Sequence, residues 1–319
     1  MSKLLEVKNL KKYFPTSRGT VHAVDDVSFY INEGETMGLV GESGCGKSTL
    51  GRTCIHLLES TAGTILFAGK DVTHLDKKQL VEYRRDVQII FQDPFSSLNP
   101  RMTIADTVSE PLRRSGRYKG TELLSEAYKL MDLVGIEKRF YNSYPHELDG
   151  GRRQRAGVAR AIALRPKFVV CDEPVSALDV SIQAQILNLL MDLQDEFGLT
   201  YMFVTHDLSV VRHISTNICV MYLGQMVEEA PTLELFAKPY HPYTKALLSA
   251  IPTVDIHNQQ KRILMKGEIT SPIDPKPGCR FSLRCPYATE ECMKPDLPLV
   301  EVEPRHFVSC CKVKEVNNI

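Results

Sequence analysis

"GESGCGKS", residues 41–48, decides how the rest of the chain is read. It fits the pattern G-x-x-x-x-G-K-[ST], and it lies between the apolar stretch "ETMGLVG" and "KSTLGRTCIHLL", whose apolar spacing is helical. Strand, glycine turn and helix in that order make a phosphate-binding loop. Glycines let successive backbone N–H groups face an anion, and the helix N-terminus adds positive potential. Lys47 is expected to reach the outer phosphates, with the Ser48 hydroxyl on Mg²⁺. The competing reading is a chance glycine-rich turn.

A second stretch argues against chance. "FVVCDEP" places Asp172 and Glu173 at the end of an apolar run of the kind buried on both faces of a parallel sheet. Ligands of open α/β sheets sit at that edge. One carboxylate there can serve the metal while its neighbour polarises the attacking water. Two loop carboxylates capping the next helix are the plainer alternative.

The surrounding pattern is that of an α/β protein. "LLEVKNLKKYF" and "VHAVDDVSFYI" alternate as half-buried strands, and "GTILFAG" and "DVQIIFQD" read as further strands. Residues 103–164 turn helical. "KFVVCDEP", the amphipathic "VSIQAQILNLLMDLQDEFG" and "YMFVTHD" form a strand–helix–strand unit, which argues for a parallel sheet. "NICVMYLGQMVEEA" reads as a terminal hairpin. Residues 271–304 hold seven of the 18 prolines and little periodicity, which predicts an irregular appendix.

Bulk properties narrow the class. The 319 residues suggest about two domains, and 43% hydrophobic content is ordinary for a globular core. With 39 basic and 39 acidic side chains there is no global charge to favour nucleic acid or an anionic membrane. No secretory signal and no run of about 18 apolar residues is evident, which argues for a cytosolic chain that does not itself span a membrane. Cytosolic thiols stay reduced, so the five of nine cysteines gathered at Cys279, Cys285, Cys292, Cys310 and Cys311 favour a metal or redox role over disulfides. Their spacing is neither that of a common zinc ribbon nor that of a ferredoxin, and says only that four thiolates can converge on one centre. Cys45, Cys54, Cys171 and Cys219 are scattered and read as small filler residues.

Further short stretches complete a pattern. "KKYF" contains Tyr13, "FQDP" Gln92, "ELDGGRRQR" Asp149, Gly150 and Gly151, "SALD" Asp179, and "VTHD" His206. With the phosphate loop and the carboxylate pair, in this order, they resemble the ATP-binding subunits of ABC transporters from about Leu4 to Val227. The resemblance implies a RecA-like core, an antiparallel β subdomain and an α-helical signature subdomain near 103–164. It also implies that Tyr13 stacks on adenine and that Gly41, Glu42, Ser43, Gly44, Cys45, Gly46, Lys47, Ser48 and Thr49 hold the phosphates. Ser48, Gln92 and Asp172 would serve Mg²⁺, Glu173 would be the general base, and His206 would clasp the γ-phosphate. Leu148 to Gly151 would face ATP on a partner subunit in a head-to-tail dimer, which Asp179 would bridge. Taken singly, Tyr13 fits an ordinary strand position, His206 a helix cap and Gln92 a surface turn.

One departure bears on mechanism. The family signature usually has serine at the position of Asp149 and glutamine at that of Arg152. Aspartate still caps a helix, but a carboxylate about 4 Å from a phosphate charge costs about 1 kcal/mol in water and about 4 at an effective dielectric near 20. The composite ATP site completed by this signature is therefore expected to be weakened, unless Asp149 turns away.

"KPYHPYTKALLSAIP" at 238–252, the cysteine-bearing tail and "QDPFSSLNPRMTI" resemble dipeptide and oligopeptide importer ATPases, with parts shared by nickel importers. This implies domains at 1–252 and 253–319, the second an extension holding a 4Fe–4S cluster on Cys279, Cys285, Cys292 and Cys310, with Cys311 a rival for the last place and zinc the alternative. It further implies a second ATPase subunit, two transmembrane permease subunits, an extracytoplasmic peptide-binding protein, no nucleic acid, and a place on the cytoplasmic side of the cell membrane. The competing classes are a soluble ABC ATPase acting on nucleic acid or ribosomes, and an iron–sulfur redox protein with a nucleotide switch.

Overall fold

The structure is a computed structural model that describes residues 2–251, 262–265, 267, 270–294 and 297–319. The domain boundary expected at 252–253 lies outside the described residues. In chain order the regular elements are β1 (Lys3–Thr16), β2 (Gly19–Asn32), β3 (Thr36–Val40), α1 (Lys47–Cys54), β4 (Ala62–Phe67), β5 (Lys70–Asp71), α2 (Lys77–Asp86), β6 (Val87–Ile90), α3 (Pro94–Ser97), α4 (Ile104–Ser115), α5 (Gly120–Leu133), α6 (Gly150–Ile162), β7 (Phe168–Asp172), α7 (Val180–Phe197), β8 (Thr200–Thr205), α8 (Leu208–Ile214), β9 (Asn217–Tyr222), β10 (Gln225–Pro231), α9 (Thr232–Ala237), α10 (Pro242–Ser249), β11 (Val300–Glu303), β12 (His306–Val308) and α11 (Val313–Asn317). They divide between two compact units, one of residues 3–31, 36–74 and 203–319, the other of residues 1–2, 32–35 and 75–202. Among the described residues no helix is long and apolar enough to cross a membrane.

The first unit carries the phosphate loop. Its antiparallel sheet has the order β2-β1-β4-β5, with Leu5 opposite Phe67 and Val7 opposite Ile65. The alternation of β1 puts Leu5 and Val7 in the core, as the period of two requires. Elsewhere in the unit β3 runs parallel to β9, with Val40 beside Val220. All five residues of β3 are buried, so its apolar run fits a strand covered on both faces. β9 and β10 form the expected hairpin. Leu223 (φ 44°) and Gly224 (φ 83°) make its turn, the left-handed pair that matches the twist of a two-residue hairpin.

The tail is more regular than its composition predicts. β12 adds to β10, and β11 adds to β12, both antiparallel. Proline content hid these strands because each is only 3–4 residues long and is held by its neighbour rather than by its own periodicity. Their anchor is Glu228 on β10, whose side chain is fully buried. Its carboxylate accepts the backbone N–H groups of Tyr240 (2.7 Å) and His241 (2.9 Å) and pairs with His306 Nε2 on β12 (2.7 Å). His241 in turn accepts the Tyr243 N–H through Nδ1 at the start of α10, and burial pushes its pKa down to about 4 despite the opposing pull of Glu228.

The second unit is mainly helical. β6 runs parallel to β7, Ile90 beside Cys171, and α4 packs on α5 and α6. Helix starts follow the capping side chains: Asp76 forms a full capping box on α2, Thr103 caps α4, and Asp149 caps α6. Gly151 lets α6 approach α7, since a Cβ there would lie 2.8 Å from Ile182 Cγ2.

Replacing Glu228 with alanine strands three buried donors, so unfolding free energy should fall by about 3–5 kcal/mol, while Glu228→Gln, which keeps one acceptor oxygen, should cost less. Chemical denaturation of both variants checks this. His241 binds its proton less readily folded than unfolded. Its contribution to stability is thus complete above pH about 6.5 and lost as pH falls towards 4, which unfolding curves across that range should register.

Candidate nucleotide site

The phosphate loop leaves the end of β3 and turns into α1. It can do so only with glycine at two points. Gly41 has φ 153°, and a Cβ would lie 2.2 Å from the Met221 carbonyl oxygen. Gly46 has φ 103°, and a Cβ would lie 1.9 Å from the Ala23 carbonyl oxygen. Between them Ser43 and Gly44 face solvent while Cys45 is buried; burial raises its thiol pKa, so it fills space. The Cys45 carbonyl accepts the Gly224 N–H at 2.8 Å. Lys47 is only 4% exposed, and its Nζ donates to the carbonyls of Gly41 (2.8 Å) and Glu42 (3.0 Å). Its charge is thus held inside the loop. Ser48 and Thr49 follow in the first turn of α1, half-buried.

Tyr13, on β1 of the same unit, donates its hydroxyl to Asp25, and its ring stacks on His22 with centroids 4.0 Å apart. Burial and then the Asp25 carboxylate push the phenol pKa up. Asp25 N–H donates to Gly224 O at 2.8 Å, and Gly224 N–H to Cys45 O, so a short backbone chain ties this aromatic pair to the phosphate loop. His206 follows β8 and is exposed. The capping role is taken by Asp207, whose carboxylate accepts the Ser209 N–H.

In the helical unit Asp172 ends β7 and is 1% exposed. Glu173 has φ 48°, a strained conformation for a glutamate, and its Oε2 accepts Gln92 Nε2 at 2.8 Å. The expected general base and one of the residues expected to serve Mg²⁺ are therefore already in contact. Leu148 is buried, Gly151 is buried, and Asp149 is exposed at the head of α6. Asp179 heads α7 without a side-chain cap bond.

The departure at Asp149 is explained by the departure at Arg152. Asp149 Oδ1 accepts the Arg152 N–H at 2.8 Å, and Oδ2 pairs with the Arg152 guanidinium. Arg152 also reaches Glu137 at 3.4 Å and lies 4.5 Å over the Phe140 ring. The carboxylate is paired with a cation of its own helix, which offsets part of the charge that the sequence leaves unbalanced.

The expected metal centre is not supported. Cys279, Cys285, Cys292, Cys310 and Cys311 do line one pocket, beside His241 and Phe281. Cys279 N–H donates to the Cys292 carbonyl at 2.7 Å, and Cys292 Sγ lies 3.7 Å from Cys311 Sγ. Yet among the described residues no three Cys, His, Asp or Glu side chains could hold a metal ion. Burial pushes the thiol pKa of Cys279 up to about 12 and that of Cys311 up to about 11.

Sequence reasoning missed the tail's contacts with the loop. Arg284 forms a two-pronged ion pair with Glu42 (Nη1–Oε2 2.7 Å, Nη2–Oε1 3.1 Å). Arg280 pairs with Asp25 and donates to the Leu223 carbonyl. Tyr243 on α10 accepts the Glu42 N–H through its hydroxyl at 2.8 Å. The two arginines lie between the cysteines of "CRFSLRC", but partners more than 240 residues away leave no local signal.

Comparison with known proteins agrees with this arrangement. The family model for ABC transporters matches residues 24–176, and that for the oligopeptide/dipeptide transporter C-terminal region matches residues 227–292. The chain is 49% identical over 317 residues to the oligopeptide transport ATP-binding protein AppF of Bacillus subtilis, covering 96% of each chain. It is 50% identical over 315 residues to OppF of the same organism, covering 98% of this chain and 97% of that one. Among solved structures, the dimeric post-hydrolysis state of the ATP-binding cassette MJ0796 with ADP and Pi matches with a TM-score of 0.67 at 31% identity, covering 72% of this chain and 99% of that one. The chain belongs to the family of ABC-transporter ATP-binding proteins that carry the oligopeptide/dipeptide transporter C-terminal region.

Proposed function

We propose that this chain is the ATP-hydrolysing subunit of an importer, coupling ATP binding and hydrolysis to uptake of di- or oligopeptides from the cytoplasmic face of a membrane. The observation that carries the reading is the glycine-shaped loop that closes around the buried ammonium of Lys47. Relatives named for oligopeptide transport, matched over nearly their whole length, support the substrate class.

In this reading Lys47 and the amides of Gly41 to Thr49 bind the phosphates, Tyr13 stacks on adenine with His22 behind it, and His206 contacts the γ-phosphate. Glu173 takes the proton of the attacking water, with Gln92 holding the carboxylate in place. Ser48, Asp172 and Gln92 would serve Mg²⁺, which would neutralise charge building on the phosphates. Asp149, Gly150 and Gly151 complete a site on a second ATPase subunit, with Asp179 at the dimer contact. Two permease subunits and an extracytoplasmic binding protein complete the assembly, and nucleic acid has no part in it.

Glu173→Gln should lower ATPase by about 10²–10⁴ in the assembled importer, and hydrolysis at the parental rate would overturn the assignment. Uptake of labelled peptides, and not of nickel, by reconstituted vesicles checks the substrate class. Because Arg152 already offsets Asp149, Asp149→Ser should raise ATPase by no more than about fivefold, the worth of an exposed pair of about 1 kcal/mol.

A further inference from the structure

The second residue of the phosphate loop is a glutamate, which is an awkward charge to keep beside a triphosphate. Glu42 has its carboxylate on the loop itself, with the side chain 21% exposed, and its neighbours in the loop are the groups that would hold the phosphates. A free carboxylate there repels the ligand, and a largely desolvated setting strengthens that repulsion. The carboxylate is not free. Both its oxygens are taken by the guanidinium of Arg284, whose side chain is 7% exposed. Planar two-point pairing of this kind fixes direction as well as charge. Arg284 is itself held: its Nη1 reaches the Tyr222 hydroxyl at 3.4 Å, and Tyr222 packs edge-on against Tyr243 and Phe281. Tyr243 accepts the backbone N–H of the same Glu42. One loop residue is thus gripped at its carboxylate and at its amide by residues lying C-terminal to the β9–β10 hairpin.

Four positions before Arg284, Arg280 pairs with Asp25, the acceptor of the Tyr13 hydroxyl. The cysteine-bearing stretch therefore touches the phosphate end of the site and the aromatic end through two arginines. Each acts through another residue.

We infer that Arg284 is a positioning residue for ATP binding: it neutralises Glu42 and holds the phosphate loop in its binding shape, so that the C-terminal segment sets nucleotide affinity. The inference rests on the proposed ATP site and deepens it. It assigns to the extension a task in binding nucleotide.

The test uses the full chain and a fluorescent ATP analogue with Mg²⁺. Arg284→Ala should weaken binding by more than about tenfold, equivalent to about 1.4 kcal/mol, and Arg284→Lys, which keeps the charge but not the fork, should lie between. The decisive variant is Arg284→Ala combined with Glu42→Gln. Removing the carboxylate should restore affinity to within about threefold of the parent, which a merely structural tie would not do. In the assembled importer Arg284→Ala should raise KM for ATP while kcat at saturating ATP holds. Parental affinity in Arg284→Ala, or a double variant as weak as Arg284→Ala, overturns the inference. Should Arg284→Ala fail to fold, recovery of folding and binding in the double variant supports neutralisation, and continued unfolding overturns it. Lys47→Ala separates the two levels: parental binding there sinks the phosphate-loop reading itself, whereas its loss beside intact binding in Arg284→Ala sinks only the role of Arg284.

Discussion

The geometry of the nucleotide site depends on how closely a loop can approach neighbouring backbone. Gly41 and Gly46 pass so near the carbonyls of Met221 and Ala23 that a single methyl group would collide. Any side chain at either point would push the loop outward and turn its amides away from an anion. With the glycines in place, the loop is narrow enough for the Lys47 ammonium to bond two of its carbonyls at once. The Cys45 carbonyl is pinned by the hairpin turn at Gly224. Loop shape is thus set by β9, the β9–β10 turn and β2 as much as by the loop's own residues.

Charge is handled the same way in both units. Each carries a carboxylate at a position where ATP binding would suffer from it, and each supplies a specific arginine. Asp149 is paired by Arg152 one helical turn away, and Glu42 by Arg284 from the far end of the chain. The first pair is exposed, so its worth is small and falls with salt. The second is largely buried, where losing one partner leaves a charge that water cannot compensate. That contrast is why the Asp149–Arg152 pair adjusts a site while the Glu42–Arg284 pair helps to build one.

The tail shows how a proline-rich segment without a periodic pattern gains order. Glu228 provides the buried anchor, gathering the start of α10 and β12 through three bonds to one carboxylate. Tyr240, Val308 and Val313 form a small apolar cluster in the same segment, with Val302 and Cys310 against them. The cysteines line one pocket, and among the described residues no three side chains are placed to hold a metal ion.

The sequence by itself determined the nucleotide-binding function class and most of the α/β elements. Phosphate-loop chemistry needs contiguous residues, and strand and helix periods are local, so "GESGCGKS", the buried run before Asp172 and the hairpin at 217–231 were all legible. Two kinds of fact belonged to the tertiary structure alone. Arg284 and Arg280 find partners across more than 240 residues, and no periodicity encodes such distant pairing. Clustered cysteines suggest a metal or redox role, and the family resemblance names a ligand set, but where thiols point depends on backbone directions that no local pattern gives. The charge of Asp149 could be counted in the sequence, but its neutralisation required knowing that the turn of α6 brings the Arg152 guanidinium onto it.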